Sequence, residues 1–161
     1  MKKKLSDIVL KNIYPPDYKK NLTVKDMAEV LVQRLGLKRK KGRANHAKLL
    51  IELLKFKKDN IPVTIEQIAG FLEVSQSQAY EEIRKWRTLG ILEHVKIPQG
   101  INLIKGYMLT ASTINRLMDK VESSLNSFIR RTRRIAKDFD DAYQLEQIRP
   151  SVNKNIEEVK E

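Results

Sequence analysis

The chain has 161 residues, a mass of 18.7 kDa and a net charge of +12, from 32 Lys and Arg against 20 Asp and Glu. It contains no cysteine, which excludes disulfides and thiolate metal sites and is typical of a protein in a reducing cytoplasm. No apolar run approaches the roughly 20 residues that span a membrane, so we expect no membrane partner.

Two short helices are predicted in residues 1–37. Three apolar residues at helical spacing indicate the first helix: Leu5, Ile8 and Val9. Pro15-Pro16 ends it, because proline cannot continue a helix. Thr23 and Asp26 have the spacing of a cap for the second, amphipathic helix, which Gly36 ends. We expect this helical extension to pack on the core or on a second subunit.

Positive charge is concentrated ahead of residue 49. Residues 1–48 hold 14 Lys and Arg against 4 Asp and Glu, residues 49–110 hold 8 against 7, and residues 111–161 hold 10 against 9. The densest cluster lies in a predicted linker, residues 38–43, whose cations are Lys38, Arg39, Lys40, Lys41 and Arg43. Either this linker is a flexible arm that follows DNA phosphates or enters a minor groove, or it is a solvated segment that keeps the protein soluble.

Two further helices are predicted between residues 44 and 72. A broad apolar stripe, rich in leucine, predicts the first over residues 44–58. Thr64 and Gln67 have the spacing of a capping box, in which hydroxyl and amide satisfy free backbone groups at a helix start. The second helix should therefore begin near Ile65. Its expected buried stripe consists of Ile68, Ala69, Phe71 and Leu72.

A tight corner at Glu73-Val74 separates that helix from a third one, which Ser75 can cap. Apolar or small residues recur along the third helix at spacings of 4, 3 and 4: Ala79, Ile83, Trp86 and Gly90. The opposite face is polar and is suited to reading base edges in the major groove of double-stranded DNA. The predicted major-groove residues are Gln76, Ser77, Gln78, Tyr80 and Arg84. Glu81 and Glu82 lie on or near this face, where they would oppose phosphates unless they read cytosine or point away.

A β-hairpin is predicted over residues 91–109. Alternating, β-branched runs at 91–97 and 101–109 flank Pro98-Gln99-Gly100, which is a turn signal. Together with the linker, the polar side chains of this hairpin and the end of the third helix are expected to contact the DNA backbone or minor groove. These hairpin and helix residues are Arg87, Lys96, Gln99, Asn102 and Lys105.

Three segments carry a family resemblance: Val74-Ser75 at the start of the third helix, Trp86–Leu92 at its end, and Tyr107–Thr110 leaving the hairpin. They make residues 44–118 similar to the winged helix-turn-helix superfamily of transcription regulators. The last segment resembles the Y-x-L-T exit of MarR-like and PadR-like regulators. The glycine that often follows there is absent, so no subfamily is assigned. The resemblance implies a mainly α domain with a small β-hairpin, here residues 44–110.

A long helix is predicted over residues 111–148, followed by a flexible tail, 149–161. Its apolar residues alternate spacings of 4 and 3, as in the seam of a coiled coil. The predicted dimer seam is Ile114, Met118, Val121, Leu125, Phe128, Thr132, Ile135 and Phe139. A stripe about 45 Å long is too long to bury on so small a domain, so we expect a homodimer. The alternative is a helix folded back over the amino-terminal segments. The arginines at 130–134 could contact DNA, pair with acidic residues or repel across a dimer.

Nothing in the sequence indicates catalysis, a metal site or a cofactor. The two histidines, His46 and His94, are interpreted as structural or surface residues, and no glycine-rich phosphate loop is present. We expect a non-enzymatic, sequence-specific DNA-binding transcription regulator in a prokaryotic cytoplasm or nucleoid. One alternative is an architectural, plasmid-partition or replication-initiation DNA binder, and another is a winged helix that binds only protein. No residue indicates a small-molecule effector.

Overall fold

The computed structural model describes residues 7–15, 22–39 and 41–159, with side chains up to residue 149. Within these ranges the protein is mostly helical with one antiparallel hairpin. In chain order the elements are α1 Val24–Arg34, α2 His46–Lys58, α3 Ile65–Leu72, α4 Gln76–Thr88, β1 Leu92–Gln99, β2 Asn102–Leu109 and α5 Ile114–Val159. The chain divides into two compact units, Met1–Glu122 and Ser123–Glu161. None of the helices in the described ranges is both long and apolar enough to cross a membrane.

Side-chain caps determine where the first four helices begin. Thr23 and Thr64 each accept a hydrogen bond from the backbone amide three residues on, and the side chain of that residue accepts one from the threonine amide in return. Ser75 caps α4. These three predicted caps are confirmed. α2 begins two residues later than predicted, because the side chain of Asn45 accepts from the amide of Lys48 and so becomes its cap.

The corner between α3 and α4 is built around one left-handed residue. Glu73 adopts a φ of 61° at the end of α3, and the amide of Val74 donates back to the carbonyl of Ala69 at 3.0 Å. The carbonyl of Leu72 accepts from the amide of Asn45 at 3.2 Å. The carbonyls of Ala69 and Leu72 at the end of α3 are thereby satisfied, and the chain turns directly into α4.

The buried face of α4 is confirmed for three of its four predicted residues. Ala79, Ile83 and Trp86 are each at most 1% exposed. Gly90 is different, because α4 ends at Thr88 and Gly90 follows the cap with a φ of 78°. It therefore terminates the helix and lies outside it. In α3, Ile68, Ala69 and Leu72 are buried as predicted, and Phe71 is partly buried against the ring of Phe56.

The predicted hairpin is present with strand ends shifted by one or two residues, and it is tied to the helices through its second strand. β1 extends to Gln99, so the turn is reduced to Gly100 and Ile101, and Gly100 takes a φ of 62°. Val63, in the α2–α3 connection, exchanges two backbone hydrogen bonds with Tyr107 at 2.9 and 2.7 Å. This pairing anchors the base of the hairpin on the helical core.

Residues 7–15 do not form the helix predicted around Ile8, and Leu5 lies outside the described residues. The amide of Lys11 donates to the carbonyl of Arg34 at 3.0 Å, and the Arg34 guanidinium donates to the carbonyl of Ile13 at 2.6 Å. The segment is held against the end of α1 by backbone groups that a helix would have used internally. Tertiary hydrogen bonds therefore outweigh the local periodicity.

α1 packs on the core of its own chain. Ala28 and Val32 are at most 4% exposed and belong to the same cluster as α2 and α4. Gly36 follows α1 with a φ of 70°, as expected of a helix stop, and a Cβ there would collide with the backbone of Val9. Of the two placements predicted for this helix, the structure shows the one within the chain.

The apolar stripe of α5 changes surroundings along its length. Val121 is buried, and Ile114 and Met118 pack against the core together with the buried Leu117. The start of the predicted dimer seam is thus already used within the first unit. In the second unit the remaining five seam residues are exposed, and three of them are about two-thirds exposed: Phe128, Ile135 and Phe139. The helix runs to Val159, past the predicted end near residue 148.

Gly106 and Gly70 offer a matched test of this packing. A Cβ on Gly106 would lie 2.8 Å from the carbonyl oxygen of Val63, so Gly106→Ala should lower the free energy of unfolding by about 1–3 kcal/mol. Gly70 has open space around it inside α3, so Gly70→Ala should raise it by about 0.5–1 kcal/mol. Urea unfolding followed by fluorescence of the single tryptophan measures both. Equal effects of the two substitutions would contradict the close contact at Gly106.

Candidate nucleic-acid interface

The five predicted major-groove residues lie on the solvent-facing side of α4. Gln76, Ser77 and Gln78 are exposed, Tyr80 is 51% exposed, and Arg84 is partly exposed. Buried residues occupy the opposite side of the helix, and of these five only Gln78 contributes a hydrogen bond to the buried Glu82. α4 therefore presents one continuous polar face that a partner can reach.

Arg84 is paired on this face with the neighbouring Glu81. Its guanidinium donates to the Glu81 carboxylate at 2.8 Å, and both side chains are well exposed. An exposed pair of this kind contributes about 0–1 kcal/mol, so Arg84 can exchange it for a phosphate or a guanine at little cost. Glu81 remains on the face as the one acidic group among the candidate contacts of α4.

Glu82 points into the protein. Its side chain is 2% exposed and its Oε2 lies 2.9 Å from Nε2 of His46. Trp86 Nε1 donates to Nδ1 of the same imidazole at 3.1 Å, so Nδ1 carries the lone pair and Nε2 carries the proton that it donates to Glu82. Of the two acids that the sequence places near the predicted DNA-binding face, Glu82 therefore does not lie on it. His46 has a structural role.

The buried Glu82 carboxylate also connects α4 to the basic linker. Its other oxygen, Oε1, is buried without a hydrogen bond, and the Nε of Arg39 lies 3.5 Å from it. Burial opposes ionisation of Glu82, but the interaction with His46, the charge of Arg39 and a hydrogen bond from Gln78 outweigh it and hold the pKa of Glu82 below its usual range. The linker is thereby paired with an ionised group of α4.

The described residues of the linker lie beside the start of α4, where the sequence leaves open a flexible arm or a solvated segment. The amide of Gly42 donates to the carbonyl of Arg39 and closes a turn. Lys38 pairs with Glu29 of α1 at 3.4 Å, and the side chains of Lys41 and Arg43 are exposed. Two of the predicted contact residues are therefore held by the protein and two are accessible to a partner. The fifth, Lys40, lies outside the described residues. A cleft of about 490 Å³ separates the linker from Gln78.

On its other side, α4 faces the hairpin across an open cleft of about 680 Å³. Arg87 lies with its guanidinium 5.8 Å from the centre of the Tyr107 ring, and His94 packs edge-on against the same ring. Burial raises the pKa of Tyr107, so its phenol stays protonated at neutral pH. Tyr80 and Arg84 line the cleft from α4, together with the acidic Glu93 from β1.

Two lysines stand directly opposite each other on the hairpin. Lys96 of β1 is the cross-strand partner of Lys105 of β2, and both are exposed. Like charges in this position destabilise a hairpin, and an anion between them would reverse that effect. Gln99 and Asn102 are paired at the tip, beside the turn. All four hairpin residues predicted to contact DNA are thus exposed, and they form two cross-strand pairs.

Glu82→Gln should lower the free energy of unfolding at pH 7 by about 1–3 kcal/mol, since a charged acceptor in a buried hydrogen bond is lost. The pKa of Glu82 is lower in the folded than in the unfolded chain, where it is near 4.5. Its ionisation therefore adds stability above pH 4.5, and this contribution is lost as the pH falls through the folded-state pKa.

Urea titrations at pH 7 and at pH 3.5 should accordingly show a smaller difference between wild type and Glu82→Gln at the lower pH. Glu81→Gln is the control, because its exposed pair with Arg84 should change stability by less than about 1 kcal/mol. A difference for Glu82→Gln that is the same at both pH values would contradict the role of the ionised carboxylate.

No protein-family model matches the chain, and no curated protein is similar to it. Among solved structures it is similar to a possible transcriptional regulator from Methanosarcina mazei Go1, with 14% sequence identity and a TM-score of 0.32. The similarity covers 56% of this chain and 77% of that chain.

Proposed function

We propose that residues 44–118 form a winged helix-turn-helix domain that binds double-stranded DNA sequence-specifically, and that the protein regulates transcription as a homodimer. The observation that carries this proposal is the position of α4. The exposed cations Lys41 and Arg43 line a cleft on one side of the exposed polar face of α4. On the other side, a second cleft is bordered by the hairpin, which carries the exposed Lys96 and Lys105 farther along its strands. The proposal includes no catalytic step and places the protein in the cytoplasm or nucleoid.

The flanking cations are suited to phosphates. Lys41 and Arg43 lie exposed at one end of the face, and Lys96 and Lys105 repel each other on the hairpin until an anion lies between them. Phosphate contacts of this kind fix the position of a protein on the duplex without reading its sequence. They also release counterions, so binding should weaken steeply as salt increases.

The polar groups of α4 are suited to bases. The amides of Gln76 and Gln78 can form bidentate hydrogen bonds with adenine, and the Arg84 guanidinium can form them with guanine. Tyr80 and Ser77 are exposed beside them. α4 would therefore act as the recognition helix in the major groove, while the hairpin acts as the wing on the backbone or minor groove.

The exposed stripe of the second unit supports self-association. Leu125, Phe128, Ile135 and Phe139 are each at least 38% exposed, and burying such a side chain contributes about 1.5–3 kcal/mol. A second copy provides an identical stripe, whereas a monomer leaves it in water. A homodimer would present two recognition helices and so favour DNA with paired half-sites.

Arg84→Ala tests the role of α4. Duplexes selected by the full chain from a random pool should contain two related half-sites, and the variant should bind the selected duplex about 5- to 150-fold more weakly in a gel shift. Lys55→Ala removes the same charge from α2 and should change binding less than twofold. The absence of any salt-sensitive shift would reject DNA binding in favour of a protein-interaction domain. An extended array footprint at an origin would instead favour the architectural or partition function.

Lys41→Ala/Arg43→Ala tests the linker. If both side chains contact phosphates, the slope of log affinity against log salt should become shallower by about 2, with the preferred sequence unchanged. Lys57→Ala/Lys58→Ala on α2 provides the matched loss of two charges and should leave the slope as it is. A changed preferred sequence in the linker variant would show that the linker reads bases.

A further inference from the structure

One face of the hairpin carries all of its basic side chains. Because side chains alternate along a strand, His94 and Lys96 of β1 lie on the same face. Their cross-strand partners on β2, Tyr107 and Lys105, lie on that face as well. Glu93 precedes His94 and therefore belongs to the opposite face. Within the hairpin, every residue of which is described, no acidic residue shares the basic face.

The basic face is turned towards α4 at the level of Tyr107. The Arg87 guanidinium lies 5.8 Å from the centre of the Tyr107 ring, and the centre of the His94 imidazole lies 5.1 Å from the same point. Arg87 and His94 are both exposed, whereas Tyr107 is only 7% exposed. One ring thus holds a basic side chain of α4 and a basic side chain of β1 close together, and an anion in the cleft can reach both.

α4 contributes further positive charge along the same cleft. Tyr80, Arg84 and Arg87 follow one another at spacings of four and three residues, so they form a stripe on the side of the helix that borders the hairpin. Arg84 is paired with Glu81, but no ion pair found in the described part of the chain includes Arg87. The charge of Arg87 is therefore not neutralised by an acid of the domain.

Only one group in this cleft changes its charge near neutral pH. The titratable or charged side chains around His94 are Tyr80, Arg84 and Arg87 from α4, Tyr107 and Lys105 from β2, and its own neighbours Glu93 and Lys96 on β1. Arginine and lysine stay positive and glutamate stays negative between pH 5.5 and 8, whereas histidine can gain a proton there. Burial raises the pKa of Tyr107, so its phenol remains neutral. A proton on His94 would place a second cation beside Arg87.

We propose that the cleft between α4 and the hairpin holds a phosphate of the DNA backbone between Arg87 and His94, and that His94 binds it in the protonated form. This inference rests on the proposed DNA binding and adds a proton to it. Hydrogen bonds from a charged donor to a phosphate are stronger than those from a neutral one. Binding of DNA and protonation of His94 must then favour each other, because linkage between two ligands is reciprocal. The affinity for DNA should therefore rise as the pH falls.

The other histidine of the chain is not suited to supply this proton. Both nitrogens of His46 are used in the core, where Nε2 donates to Glu82 and Nδ1 accepts from Trp86 at 3.1 Å. A second proton on that ring would leave the Trp86 N–H without its acceptor. Since the chain contains two histidines, a proton taken up by a histidine on DNA binding is assigned to His94.

Anisotropy of a fluorescent duplex, selected by the full chain from a random pool, measures this linkage at pH 5.5 and at pH 8 with the ionic strength held constant. The wild type should bind about tenfold more tightly at pH 5.5, the factor that corresponds to one pKa unit of linkage. His94→Gln keeps a neutral polar side chain, so it should match the wild type at pH 8 and gain less than about twofold at pH 5.5. His94→Lys carries a permanent charge and should bind with the higher affinity at both pH values.

Lys96→Gln is the matched control, because it removes a permanent charge from the same face of the hairpin. It should weaken binding by the same factor at both pH values and so keep the pH dependence of the wild type. If wild type and His94→Gln show the same ratio of affinities at the two pH values, the inference is overturned while DNA binding stands.

Weaker binding of His94→Gln than of wild type already at pH 8 also overturns the inference, since His94 would then act without its proton. The absence of binding by the wild type at both pH values rejects the proposed function itself. Only a gain at pH 5.5 that His94→Gln loses and Lys96→Gln keeps supports a phosphate held by protonated His94.

Discussion

The orientation of α4 depends on one buried polar network. Glu82 accepts from His46, and the same imidazole accepts from Trp86, so a carboxylate and two aromatic rings join α4 to the start of α2 inside the core. A buried carboxylate without partners would cost several kcal/mol. The network therefore opposes any rotation of α4 about its axis, because rotation would break both hydrogen bonds. With Glu82 inside, Tyr80 and Arg84 must face outwards.

In the proposed DNA binding, the same carboxylate would link specificity to affinity. Residues 49–110 carry nearly equal numbers of acidic and basic groups, so this region alone would attract DNA weakly. Glu82 adds a second function to its structural one, because it holds Arg39 and with it the turn that presents Lys41 and Arg43. A negative charge on the helix proposed to read DNA thus helps to place positive charge beside it. Because Glu82 points inward, its charge does not face phosphates and instead pairs with Arg39 of the linker.

Local patterns were sufficient to predict the helices and not their tertiary partners. The capping box of Thr64 and Gln67 involves two residues three positions apart, so the sequence shows it directly. The direction of Glu82 depends on His46, 36 positions away, and no periodicity reveals that pairing. The apposition of Lys96 and Lys105 depends on the hairpin register, which a shift of one residue would change. The helix predicted around Ile8 is absent for the same reason, because the amide of Lys11 donates its hydrogen bond to the end of α1.

The stripe of α5 shows why periodicity identifies a buried face without identifying what buries it. The spacing of 4 and 3 continues unchanged from Ile114 to Phe139, yet Val121 is buried in its own chain and Phe128 is exposed. The core of the first unit has a finite surface, so it can cover only the first turns of so long a helix. Beyond that point a stripe of the same chemistry remains in water. Its amphipathic pattern therefore requires a second apolar surface.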